Sequence, residues 1–367
     1  MSYAIDTRCI HGEGHQNKDA NCAVSYPIYQ TAAFSHLTPG HNPNGFDYSR
    51  ESNPTRAYLE ETMSSLESAC DTVAFASGMA AIATVFELFR PGDHILLGED
   101  LYGGVVRLID QISSKNGYET EYVDTSDLRE LKEGIRPNTK AVYLETPSNP
   151  MMHVTDIRKA AEIAHASGTL LIVDNTFMTP YFQNPIREGA DIVVHSGTKY
   201  LSGHNDTVCG FVCSASRDLA DRFRLLSKTT GATLGPFECW LCLRGLKTLA
   251  LRMERHKSNA EKVRKWMLGH KAVRKVFYAG SGMISFEVDS PERAENILKH
   301  IRLITFAESL GGTESLLTYP TVQTHPEVSA EKKEKLGIND RLLRLSVGIE
   351  NPDDIIGDLE QAFAKAV

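Results

Sequence analysis

Two short segments carry residue types that do chemistry together. In the first, Leu170-Leu171-Ile172-Val173 runs straight into Asp174-Asn175-Thr176. In the second, Asp191-Ile192-Val193-Val194-His195 runs into Ser196-Gly197-Thr198-Lys199. Each apolar run is short, β-rich and continuous, the pattern of a strand buried in a parallel sheet. Taken singly, the aspartate reads as a cap or turn former and the lysine as a solvated cation. As the ends of neighbouring parallel strands, Asp174 and Lys199 emerge on one sheet edge, where ligands of such sheets collect. That pairing suits pyridoxal phosphate. The lysine amine joins its aldehyde, and the carboxylate keeps the ring nitrogen protonated, so that the ring works as an electron sink. Ser196 and Thr198 offer hydroxyl donors for the phosphate.

A second phosphate element is Ser77-Gly78-Met79, a glycine opening a helical run at another strand end. Free amides at a helix N-terminus, with the helix dipole, attract an anion. The elements that must hold these residues alternate. Helix-like stretches at 57–69 and 80–89 precede short apolar runs at 93–97, 141–144, 170–173 and 191–195. A long helical pattern covers about 246–270. Beyond it come strands at 275–279, 283–288, 303–307 and 342–347, and helices at 291–301 and 352–366. The expected architecture is α/β: residues 1–60 form an extended arm that contacts a partner subunit, 61–245 a large domain with a mainly parallel sheet, and 246–367 a smaller α+β domain.

Bulk properties narrow the function. The 367 residues carry 39 Lys and Arg against 47 Asp and Glu, a formal charge of −8. That balance argues against broad nucleic-acid or anionic-membrane binding. No apolar run approaches ~20 residues, and residues 1–6 lack a signal-peptide layout, so a cytoplasmic protein is expected. Seven cysteines at irregular spacings fit reduced thiols. The pair Cys239 and Cys242 lies in an apolar helical stretch and reads as core packing rather than a redox or metal site. No metal is expected; His325 reads as a structural hydrogen-bonding group.

Six ordered motifs carry a resemblance over nearly the whole chain. They are Ser77-Gly78-Met79, Tyr102-Gly103-Gly104, Glu145-Thr146-Pro147-Ser148-Asn149-Pro150, Asp174-Asn175-Thr176, Ser196-Gly197-Thr198-Lys199-Tyr200 and Arg344-Leu345-Ser346-Val347-Gly348. Together they resemble the Cys/Met-metabolism (trans-sulfuration) family of pyridoxal-phosphate enzymes. The resemblance implies a fold-type I architecture, the cofactor pyridoxal 5'-phosphate, amino-acid substrates and a homotetramer built from dimers. It also implies that Tyr48 and Arg50 of the arm grip the phosphate in the neighbouring subunit. Arginine suits a dianion because its grip is bidentate and charged. Tyr102 should stack on the ring and assist proton transfer, although a phenol of pKa ~10 needs nearby positive charge to become a base. Arg344 should hold the substrate α-carboxylate, helped by Asn149 and Ser309; the alternative for Arg344 is a structural salt bridge. Lys199 should take the Cα proton.

Specificity within the family falls on the distal end of the substrate. Glu308, just before Ser309, resembles the acidic residue of γ-synthases and γ-lyases that holds a distal ammonium. Asp47, just before Tyr48, looks more like the γ-synthases, as does the segment 317–325. The resemblance favours γ-replacement, joining an O-acylhomoserine to cysteine to form cystathionine, as in cystathionine γ-synthases and O-acetylhomoserine thiol-lyases. The alternative is a γ- or β-lyase that releases cysteine or homocysteine, ammonia and a 2-oxo acid. Two departures stand out: Gly197 at a place often held by alanine, which should be tolerated, and a short 278–285 segment.

Overall fold

The computed structural model describes residues 3–12, 19, 21–39, 42, 44–326 and 328–366. Twelve strands form two sheets. In the larger sheet, β1 (Asp71–Phe75), β2 (His94–Gly98), β3 (Glu119–Val123), β4 (Thr139–Glu145), β5 (Leu170–Asp174), β6 (Ile192–Ser196) and β7 (Gly210–Ser214) lie in the order β1-β7-β6-β5-β4-β2-β3. Five strands, from β6 across to β3, are parallel; β7 runs against both of its neighbours. The smaller sheet has β8 (Val273–Tyr278), β9 (Met283–Val288), β10 (Thr305–Phe306), β11 (Leu316–Thr318) and β12 (Leu342–Ser346), in the order β10-β11-β12-β9-β8.

The central strands are buried along their apolar runs, with only Lys140 exposed and Leu170 half-buried near the starts of β4 and β5. The strands that the sequence reading passed over have other patterns. β3 is an edge strand with Glu119 exposed, β7 opens on a glycine, and β11 is only three residues long. β10 is also shorter than the 303–307 expected. Its approach is diverted because the buried Asp358 carboxylate accepts the amides of Arg302, Leu303 and Ile304 at 2.9–3.0 Å.

The helix Pro54–Glu67 starts with Pro54 in its first turn and Asn53 capping Thr55 N. It runs through position 60 and buries Leu59, Met63 and Leu66. This helix therefore crosses the expected 60/61 boundary, and helix Ile5–His11 also joins the core through buried Cys9. The described residues of 21–52 carry no helix or named strand.

The long helical pattern is the helix Leu249–Gly269, and a separate helix, Pro236–Leu246, precedes it with a break between the two. The break has a packing cause. A side chain on Gly245 would start 2.2 Å from the Ser202 carbonyl oxygen, and Arg252 takes the Gly245 carbonyl at 2.7 Å. Helix Leu249–Gly269 then touches both sheets. Arg252 donates to Tyr200 O at 2.6 Å, while His256 and Asn259 bond the carbonyls of Val347 and Gly348 at 2.7 and 2.9 Å. Cys239 and Cys242 are fully buried in the core beneath this junction. The short 278–285 segment is a hairpin turn at 279–282 between β8 and β9, with Gly280 at φ 97°.

Candidate active site

The carboxyl ends of β4, β5 and β6 surround a cavity of about 210 Å³. Helix Gly78–Phe86 and the loop 308–310 close it. Its lining contains Ser77, Gly78, Met79, Tyr102, Asn149, Asp174, Thr176, Ser196, Thr198, Lys199, Glu308, Ser309 and Arg344. The structure thus collects in one place residues spread over 268 positions of sequence, from 77 to 344 (344 − 77 + 1).

Lys199 reaches this cavity from the turn after β6. Its Nζ donates to Ser309 Oγ at 3.0 Å. Burial, reinforced by the positive charge of Arg344 and opposed by Glu308, lowers its ammonium to about 8. A sizeable fraction is therefore the free amine near neutrality. Ser309 is held at φ 140°, a strained value for a residue with a side chain, and its carbonyl accepts from Arg344 at 3.3 Å.

Asp174 ends β5. Its Oδ1 accepts from Thr176 N at 3.0 Å and from Thr176 Oγ1 at 2.6 Å. Thr176 Oγ1 in turn accepts from Ser196 N at 2.9 Å, which ties β5 to β6. Burial raises the Asp174 carboxyl, and the Thr176 donors act against it.

Arg344 lies on β12 and is 2% exposed. It donates to Asn149 Oδ1 at 2.7 Å and to Ser309 O and Thr318 Oγ1 at 3.3 Å, and its Nε has no partner. Among the described residues no carboxylate lies within 4.0 Å to form an ion pair with it. The structural salt bridge is thus absent, and this buried cation faces an open cavity with only neutral acceptors. Such an arrangement is costly unless an anion completes it. Asn149 is itself held through its carbonyl by His325 Nε2 at 3.1 Å.

The opposite wall has the features of a phosphate cradle. Ser77 Oγ caps helix Gly78–Phe86 by accepting from Ala80 N at 3.0 Å. The amides of Gly78 and Met79 find no acceptor among the described residues. A side chain on Gly78 would start 2.9 Å from Ser196 Cβ, so only glycine lets the helix end approach β6. The Ser196 hydroxyl makes no hydrogen bond among the described residues. Thr198 lines the cavity as well, and its hydroxyl donates to Cys209 O at 3.2 Å and accepts from Cys209 N at 3.0 Å, so it also braces the turn. With a carboxylate at one end, an amine at the middle and free donors at the other, the cavity fits pyridoxal phosphate.

Three expectations need correction or extension. Tyr102 is not acidified by its surroundings. Burial and the nearby Glu308 raise its phenol, and its hydroxyl lies 3.5 Å from Glu308 Oε1. Glycine at 197 fits, as expected, and the packing extends the point: a side chain would start 2.4 Å from Phe211 Cε2 and 2.6 Å from Cys209 Sγ. Glu145 also lines the cavity and its Oε2 accepts from Tyr102 N at 2.9 Å. It stood in a quoted motif but was not singled out, because an acid inside a strand gives no periodic signal. Asp47, Tyr48 and Arg50 are not in the cavity. Asp47 pairs with His36 at 2.9 Å, Arg50 reaches Lys228 O, and Tyr48 is 44% exposed.

Among the described residues no group of three His, Cys, Asp or Glu side chains could hold a metal ion, and no helix is long and apolar enough to cross a membrane.

Comparison with known proteins agrees with this geometry. Residues 6–364 match the family described as Cys/Met metabolism PLP-dependent enzyme. Cystathionine γ-lyase of Bacillus subtilis is 45% identical over 374 residues, 97% of this chain and 98% of that protein. Cystathionine γ-synthase of Haemophilus influenzae is 44% identical over 366 residues, 99% of each. A crystal structure of cystathionine γ-lyase from Lactobacillus plantarum complexed with L-serine superposes with a TM-score of 0.96 at 42% identity, covering 99% of each chain.

Proposed function

Because the chain belongs to the Cys/Met-metabolism family of pyridoxal-phosphate-dependent enzymes, we propose that it catalyses γ-replacement, joining an O-acylhomoserine to cysteine to form cystathionine. The observation that carries this reading is Glu308. It lines the cavity beside Ser309 and within 3.5 Å of the Tyr102 hydroxyl, where it can hold the ammonium of an incoming cysteine.

Pyridoxal phosphate, when bound, supplies an electron sink for negative charge at the substrate α-carbon. The protein's part follows from its own groups. Gly78, Met79 and Ser196 would offer donors to the phosphate, and Asp174, steadied by Thr176, would keep a proton on the ring nitrogen. Arg344 and Asn149 fix the substrate carboxylate, which fixes the direction of the α-hydrogen. Lys199 Nζ receives that proton and can carry it to the β- and γ-positions. Tyr102 stands over the same region to assist the leaving group. By the family resemblance, Tyr48, Arg50 and Asp47 of a second copy complete the phosphate and distal ends of the site, within a tetramer built from dimers in the cytoplasm.

The alternative is carbon–sulfur cleavage by the same groups, and identity alone does not separate the two. Product analysis does. O-Acetyl- or O-succinylhomoserine with cysteine should give cystathionine faster than cystathionine gives ammonia and a 2-oxo acid. Formation of no cystathionine from either ester refutes the proposal. Faster release of 2-oxobutyrate would assign a γ-lyase, and release of pyruvate a β-lyase.

A further inference from the structure

Glu145 has a position that the steps above do not use. It ends β4 directly opposite Asp174, its register partner on β5, and both are buried. It lines the active-site cavity, and it also lines a second cavity of about 10 Å³ with Asp100, Asp124, Ser148 and His153. That volume holds about one water. Asp100 is 5% exposed. Its Oδ2 accepts from Met151 N at 3.2 Å and from Ser148 Oγ, while its Oδ1 is buried with no partner. His153 is exposed at the far side of this cavity. One carboxyl is therefore shared by the reaction chamber and by a polar side channel.

We propose that Glu145 is the proton carrier between the active-site cavity and solvent, working through one water and Asp100. The local electrostatics agree. Burial first, and then the charge of Asp174, keep the Glu145 carboxyl protonated well above the usual carboxylate range. Two carboxylates facing each other across adjacent strands cannot both ionise cheaply, and Asp174 already has the two Thr176 donors. In each event Glu145 passes its O–H proton to a basic group in the cavity. It then takes one from the channel water, which is refilled from solvent past Asp100 and His153. Glu145, the water and Asp100 end as they began, and the proton delivered from solvent stays on the basic group. The inference applies equally to replacement and to elimination, so it does not depend on which reaction the enzyme performs.

The test is exchange of the α-hydrogen of L-alanine for deuterium, followed by NMR with the holoenzyme in D2O. L-Alanine has no leaving group, so the readout is independent of the replacement chemistry. Glu145→Gln keeps an oxygen acceptor for the Tyr102 amide, and Asp100→Asn keeps the Ser148 and Met151 contacts. Both should slow exchange at least about tenfold while cofactor absorbance and cofactor dissociation stay unchanged. In Glu145→Ala, added formate should restore exchange saturably, which a purely structural role would not allow. Exchange within twofold of the parent in Glu145→Gln, absence of exchange by the parent, or no rescue of a folded Glu145→Ala would each overturn the proposal.

Discussion

Replacing Arg344 by Met should make Lys199 a stronger base. In the native site the Lys199 ammonium falls from 10.5 to about 8, with burial the largest cause and Arg344 the second. At 1.36 kcal/mol per pH unit, that depression corresponds to roughly 3 kcal/mol. Arg344 contributes less than burial does, so its loss should return on the order of one pH unit, ~1.4 kcal/mol. Near pH 7 the free-amine fraction would then drop from about one in ten to about one in a hundred. Glu308→Gln should act in the opposite direction, because Glu308 supports the ammonium. The assay is the pH dependence of covalent labelling of Lys199 in cofactor-free protein by an amine-reactive reagent, read on the Lys199 peptide by mass spectrometry. The labelling midpoint should move up in Arg344→Met and down in Glu308→Gln. Midpoints that stay fixed, or that move in the same direction in both variants, would refute the electrostatic account of this lysine.

Other perturbations test other parts of the site. Gly78→Ala, which places a methyl 2.9 Å from Ser196 Cβ, should weaken cofactor binding at least about tenfold by fluorescence titration, and unchanged affinity would remove the cradle. Glu308→Ala should raise KM for cysteine by ~10- to 100-fold, as for the loss of a charge-assisted hydrogen bond of ~1.5–3 kcal/mol, with little effect on cofactor affinity. Buried His256 and His325 are both lowered to about 4. The unfolded chain therefore binds more protons between about pH 6.5 and 4, and stability should fall across that window by up to ~3 kcal/mol for each. Denaturant midpoints should fall less steeply across it in His256→Gln.

The sequence made the central strands readable for a physical reason. β4, β5 and β6 are buried on both faces, so their apolar runs are unbroken and their polar ends are conspicuous. Asp174 and Lys199 follow from that contrast, whereas Arg344, in the middle of β12, follows from the family resemblance. Strands with one solvated face, a glycine start or three residues carry too little pattern, which is why β3, β7 and β11 escaped. Thr198 shows a different limit: its residue type suits a phosphate donor, and only the structure shows that its hydroxyl also braces the turn to Cys209. Glu145 shows a third. Its role depends on two cavities that no linear pattern encodes. Asp47, Tyr48 and Arg50 lie outside this chain's cavity, and on the proposed reading they would serve a second copy.

Helix Leu249–Gly269 has a consequence for how substrates can change. One guanidinium on it clamps the turn that carries Lys199, and one turn later His256 and Asn259 clamp the end of the strand that carries Arg344. The helix acts as a fixed caliper between the reacting amine and the carboxylate anchor. A longer or shorter amino acid cannot be accommodated by spreading those two points apart. Diversification of this scaffold must therefore occur at the unclamped end, around Tyr102 and Glu308, while the distance from carboxylate to α-carbon stays a constant of the architecture.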